Sequence, residues 1–127
     1  PDGVDGHIRI DGINSLDLTG AMTLEAWIMN GPGSAGKSPI ISKGFDSKGY
    51  ELYITGDEQE RRLGFSITPG SIHSNAVLED ERWYHIAVTY DTQTIRLYIN
   101  GILDNAVYAP GSISVVNQDL FIGTDHA

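Results

Sequence analysis

The chain reads as an all-β protein, an antiparallel β-sandwich of two packed sheets, and three observations predict it. Apolar residues come in short runs, many with β-branched or aromatic members. Gly, Asn, Asp and Pro interrupt those runs at intervals suited to antiparallel strands, and no amphipathic stretch of useful helical length occurs. With 127 residues, the chain suffices for one core and is too short for two, so residues 1–127 are expected to form a single domain.

Taken in order, the predicted strands cover residues 7–10, 22–29, 39–43, 50–55, 62–68, 83–90, 95–100 and 120–122. The clearest local feature is Trp83-Tyr84-His85-Ile86-Ala87-Val88-Thr89-Tyr90, then the polar link Asp91-Thr92-Gln93-Thr94, then Ile95-Arg96-Leu97-Tyr98-Ile99. Two β-rich runs joined by a short polar link predict a hairpin. Asn100-Gly101 follows at once; this pair takes the positive φ angles of a type I′ turn, which predicts a further reversal into 102–107 and a three-stranded meander. Residues 30–38, Asn-Gly-Pro-Gly-Ser-Ala-Gly-Lys-Ser, read as a flexible loop, and 56–61 as a charged tip.

Seventeen acidic residues against eight basic ones give a formal net charge of -9. A phosphate backbone is repelled by such a charge, which argues against a nucleic-acid partner. The same carboxylates are hard oxygen ligands of the kind calcium takes. The absence of cysteine excludes disulfides and thiolate metal sites. No run of about 18 apolar residues occurs, which argues against membrane insertion, and the start at Pro1 without a leader pattern reads as a mature piece or an excised domain.

An ordered set of segments carries a family resemblance: Leu16-Asp17-Leu18-Thr19-Gly20, Thr23-Leu24-Glu25-Ala26-Trp27-Ile28, Ile40-Ile41-Ser42-Lys43-Gly44, Tyr50-Glu51-Leu52-Tyr53-Ile54, the run from Trp83 to Asp91, Leu97-Tyr98-Ile99-Asn100-Gly101 and Leu120-Phe121-Ile122-Gly123. Together they resemble the laminin-G-like branch of the concanavalin A-like lectin and glucanase sandwiches, which includes the pentraxins. The resemblance implies a jelly roll, an extracellular or cell-surface setting, and a noncatalytic module binding glycans, with calcium assisting in some members. An adhesion or protein-interaction module is the alternative it also implies. Relatives continue past the last Ile-Gly with a return strand and often begin one strand earlier. The sandwich is therefore expected to be truncated at one or both ends, with an open sheet edge available to a protein partner or a second copy.

Both tryptophans, Trp27 and Trp83, fall inside strand motifs where the family uses Trp as core, so both are assigned to the interior. That leaves Tyr50, Tyr53, Tyr98 and Tyr108, since a tyrosine offers a ring face and a hydroxyl together, and of these Tyr50 and Tyr98 are singled out as ligand-binding candidates, with cross-strand packing as the competing role. The pentraxin likeness implies that Asp46 and Asp125, in loops after strands, share a calcium ion and, with His126, border the ligand site; solvated loop acids are the alternative. His85 is assigned to a structural role in its strand. Catalysis finds little support: no Gly-x-Ser-x-Gly elbow and no His pair flanking a Glu occur, and Glu25 stands alone where a glycosidase strand carries alternating carboxylates. For calcium the test is thermal. A native-state ligand at about a hundred times its dissociation constant adds roughly 2.7 kcal/mol. Calcium should then raise the melting temperature, and Asp46→Asn with Asp125→Asn should erase the rise; a melting temperature indifferent to calcium and chelator removes the metal.

Overall fold

The computed structural model describes residues 6–12, 14–44 and 48–123. Ten strands run along them: β1 Ile8–Ile10, β2 Met22–Met29, β3 Ser38–Lys43, β4 Tyr50–Gly56, β5 Arg61–Ile67, β6 Gly70–His73, β7 Trp83–Tyr90, β8 Thr94–Ile99, β9 Ile102–Tyr108 and β10 Leu120–Ile122. One 3-10 turn, Asn14–Leu16, precedes β2. None of the described helices is long and apolar enough to cross a membrane. The strands form a six-stranded sheet in the order β1-β10-β3-β4-β5-β6 and a four-stranded sheet in the order β2-β7-β8-β9. All pairings between them are antiparallel. This is the predicted sandwich.

The predicted hairpin and meander appear as β7, β8 and β9. Asp91 Oδ1 accepts hydrogen bonds from the N–H groups of Gln93 (2.9 Å) and Thr94 (2.7 Å), closing the first turn. Asn100 and Gly101 sit at φ 52° and 78°, the left-handed pair that the second turn requires. Strand β6 is absent from the sequence reading. Its four residues follow Thr68-Pro69 and begin Gly-Ser, a composition that reads as turn, and pairing against β5 alone makes them a strand.

Every second residue of the central strands enters one continuous core. Leu52 and Ile54 of β4, Leu63, Phe65 and Ile67 of β5, Ile86, Val88 and Tyr90 of β7, and Ile95 and Leu97 of β8 pack there, all buried. Burying each such side chain stabilises the fold by roughly 1.5–3 kcal/mol. Where β6 and β9 meet, a bulge completes the closure. Leu97 pairs with Asn105 but Tyr98 with Leu103, leaving Asp104 out of register. The displaced carboxylate accepts the N–H groups of Asn75 (2.6 Å) and Ala76 (3.0 Å) and so ties the two sheets.

Buried polar groups fix the loops. The Arg61 guanidinium donates to the carbonyl oxygens of Gly36 and Gly56 and to Ser38 Oγ, clamping the 30–37 loop against the turn after β4. The Lys43 ammonium uses its three protons on Asp17 Oδ1 (2.8 Å), Val116 O (3.1 Å) and Gln118 O (2.9 Å).

Tyr50, a predicted ligand residue, belongs to this interior. It is 2% exposed and its hydroxyl donates to Leu16 O at 2.8 Å, so it has no ring face for a ligand; its parity on β4 puts it with Leu52 and Ile54, which corrects the sequence reading. Burial, helped by the Asp17 carboxylate, pushes its phenol up to about 12 from an ordinary value of 10.0, and burial beside Asp91 also raises Tyr90. A raised folded-state value means that the native protein holds these protons more tightly than the unfolded chain does. Stability is therefore full below about pH 10 and falls as pH rises towards 12. Tyr50→Phe should flatten that alkaline loss in denaturant titrations; an equally steep loss in the variant would contradict the assignment.

Candidate binding face

The outer face of the four-stranded sheet gathers the exposed aromatic residues. On β2 the inward set is Met22, Leu24, Ala26 and Ile28, which pack in or against the core. The opposite parity sends Thr23, Glu25, Trp27 and Met29 outward. On β7, Tyr84, Ile86, Val88 and Tyr90 are buried, so Trp83, His85, Ala87 and Thr89 face the same outer side. The tryptophans are thus not core residues: Trp27 is 65% exposed and Trp83 59%. The expectation of two interior tryptophans is corrected, because neither residue shares the phase of its strand's buried set.

Register assembles these side chains. Trp27 pairs with His85 and Met29 with Trp83, so the two tryptophans are diagonal neighbours, about 7–8 Å apart along such a ladder. His85 meets Trp27 edge to face at a centroid separation of 5.3 Å, and its Nε2 lies 3.8 Å from Glu25 Oε2. It is therefore a surface histidine holding an aromatic ring upright, where the sequence reading makes it a structural residue of the strand. Its backbone N–H donates to Asn100 Oδ1 (2.9 Å), which fixes the β8–β9 turn beside it.

Tyr98 keeps its predicted place on the surface. It is half-buried on the outer side of β8, paired with Ala87 on one flank and Leu103 on the other. Leu103 and Tyr108 extend the apolar surface across β9, both exposed. At one end Arg96 Nη1 donates to Asp91 Oδ2 at 3.1 Å, and with the turn N–H groups of Thr94 and Gln93 it holds the Asp91 carboxyl below the usual range, the N–H groups contributing most. The face thus combines ring surfaces with hydrogen-bonding groups and carries little net charge.

Asp46, Asp125 and His126 lie outside the described residues. Elsewhere, the described residues form a depression lined by Leu16, Asp17, Lys43, Tyr50, Ser114 and Val115. Among the described residues no three His, Asp or Glu side chains converge as metal ligands do. The structure brings together Trp27, Trp83, His85 and Tyr98, of which the sequence reading proposed only Tyr98 for a ligand. The signal for the other three was present in strand parity: Trp27 shares the phase of Glu25, and Trp83 that of His85.

A family model described as the concanavalin A-like lectin/glucanases superfamily matches residues 2–127. No curated protein matches the chain by sequence. Among solved structures, a protein of Bacteroides ovatus ATCC 8483 named for carbohydrate binding is 20% identical, with 94% of this chain covering 35% of that one at a TM-score of 0.72. Domain 4 of AbnA, a GH43 extracellular arabinanase of Geobacillus stearothermophilus solved with arabinotriose, is 14% identical; 98% of this chain covers 65% of that one, at 0.67. The LG4-5 domains of the mouse laminin alpha1 chain are also 14% identical, with 91% and 31% covered, at 0.65. The chain spans under two thirds of each, and at these identities the likeness is one of fold.

Proposed function

From the premise that this chain belongs to the concanavalin A-like lectin/glucanases superfamily, we propose that it is a noncatalytic glycan-binding module whose ligand lies on the outer face of the four-stranded sheet. One observation carries the reading: two diagonal tryptophans, each more than half exposed, stand on a rigid sheet among groups that form hydrogen bonds. Exposing so much indole to water is unfavourable unless a partner covers it. A pyranose or furanose ring presents an apolar C–H face to an indole and hydroxyls at its rim. Trp27 and Trp83 would each stack one sugar, and His85, Glu25, Asn100 and Thr89 would meet the hydroxyls.

The alternation that exposes the rings also limits chemistry there. Glycoside hydrolysis takes two carboxyl groups flanking one bond. On this face Glu25 Oε2 lies 3.8 Å from His85 Nε2, and Asp91 is engaged by Arg96. That arrangement supports binding over cleavage. The names of two fold neighbours, one carbohydrate-binding and one an arabinanase domain holding arabinotriose, agree with a glycan ligand and an extracellular or cell-surface setting. Calcium at Asp46 and Asp125 stays part of this proposal, to be decided by the thermal test given above. Single-face stacking yields weak affinity, which several linked modules multiply.

A second reading has its own observation. Among the described residues, strand β2 ends its sheet and pairs only with β7, leaving an eight-residue edge that carries one charge, Glu25. Such an edge suits strand addition by a protein partner or a second copy.

Affinity electrophoresis against a panel of neutral polysaccharides, with and without calcium, separates the two. Retardation by at least one polymer is expected, lost in Trp27→Ala and Trp83→Ala while the melting temperature hardly moves, since surface substitutions ordinarily stay within about 0.5 kcal/mol. No retardation by any polymer, or retardation indifferent to both substitutions, overturns the glycan reading; a concentration-dependent dimer in light scattering would favour the edge.

A further inference from the structure

The outer face of the six-stranded sheet carries a different chemistry. Parity sends Glu51 and Tyr53 of β4 to this side, with Ser42 of β3 and Ser66 of β5 paired beside Glu51 and Gly64 paired beside Tyr53. A carboxylate on an outer sheet face ordinarily stands in water, yet the Glu51 side chain is 5% exposed. Lys37 accounts for part of that cover. Its ammonium pairs with Glu51 Oε1 and stands 5.3 Å from the centroid of the Tyr53 ring. The Ser42 hydroxyl lies 3.3 Å from the other carboxylate oxygen.

The floor beneath that ammonium is rigid. A Cβ at position 64 would lie 2.4 Å from the Tyr53 ring, so glycine there is what lets the ring lie down against β5. The phenol is held at its far end by Ser66 Oγ (3.1 Å) and His73 Nε2 (3.4 Å). A buried carboxylate beside a fixed aromatic ring is the complement of an alkylammonium: the first supplies charge, the second a cation–π surface. The two halves of the contact differ in freedom. Glu51 and Tyr53 are locked in the sheet, whereas Lys37 arrives from a loop, is 38% exposed along its side chain and swings on a four-carbon stem.

We propose that Glu51 and Tyr53 form a recognition site for a primary ammonium group, filled in the resting protein by Lys37 as an internal ligand, and that its external ligand is the ammonium of an unacetylated amino sugar. The sugar assignment rests on the glycan reading above; the ammonium site rests on the contact of Lys37 with Glu51 and Tyr53 and not on that reading. Exchanging one ammonium for another keeps the buried carboxylate neutralised at the end points, so the displaced Lys37 moves into water without leaving an unpaired buried charge. The net charge of -9 draws a cationic ligand in.

The full chain carrying Lys37→Ala, titrated with n-propylammonium chloride, tests the site. The variant should melt lower than wild type, and n-propylammonium should restore the loss saturably while sodium chloride of equal ionic strength does not; adding Glu51→Gln should abolish the rescue. No saturable rescue, or rescue that survives Glu51→Gln, overturns the site. If the variant fails to fold, the wild-type protein decides: protonated glucosamine should shift the NMR resonances of the Tyr53 ring and the Gly64 amide, and glucose and N-acetylglucosamine should not. Equal shifts with all three sugars, or none with glucosamine, overturn the amino-sugar assignment, and they do so whether or not Trp27 and Trp83 hold neutral polymers.

Discussion

The structure depends on one constraint, the two-residue period of strands that bury only one side. Once Ile86, Val88 and Tyr90 point into the sandwich, Trp83, His85, Ala87 and Thr89 have nowhere to go but out. The pairing of β2 with β7 carries that choice to the next strand, because antiparallel partners share a face residue by residue. A slip of one residue would put Glu25 and His85 into the core and Ile86 into water, a change far too costly to be populated. The same rule on β4 divides Tyr50, Leu52 and Ile54 from Glu51 and Tyr53. Both candidate surfaces are thus by-products of a core that had to be filled.

Much of the fold was legible in the residues. Alternating runs placed nine of the ten strands, and Asn100-Gly101 predicted its turn from backbone sterics alone. Strand β6 was not legible, because four residues beginning Gly-Ser have no propensity of their own and become a strand only by lying against β5. The site was read less well, for two separate reasons. Trp27 and Trp83 were assigned to the core from the family resemblance of their motifs when the phase of their strands pointed the other way. The contact of Lys37 with Glu51 and Tyr53 was invisible for a deeper reason: Lys37 lies on a loop and the other two on β4, and the arrangement depends on a Gly64 whose lack of a side chain means nothing until its partner across the ladder is known.

The two sheets have divided the chemistry between them. On the four-stranded side the rings stand free and the charges are few. On the six-stranded side the ring is pressed flat, the carboxylate is covered, and a lysine closes the surface. Arg61 helps set this difference, since its guanidinium fixes Gly36, the residue before Lys37, to the turn after β4. The backbone entering Lys37 is therefore held in place, and its ammonium is delivered onto Glu51 and the Tyr53 ring.

The margin of β2, which no described strand pairs, also bears on the shape of what the proposed tryptophan face would accept. Among the described residues, Trp27 stands on the outermost strand of its sheet, with no described strand beyond it. A surface without an end stop does not measure chain termini; a long polymer could cross it and continue on either side. Recognition there would favour the interior of a polysaccharide over its tips, and would tolerate branches that overhang the margin.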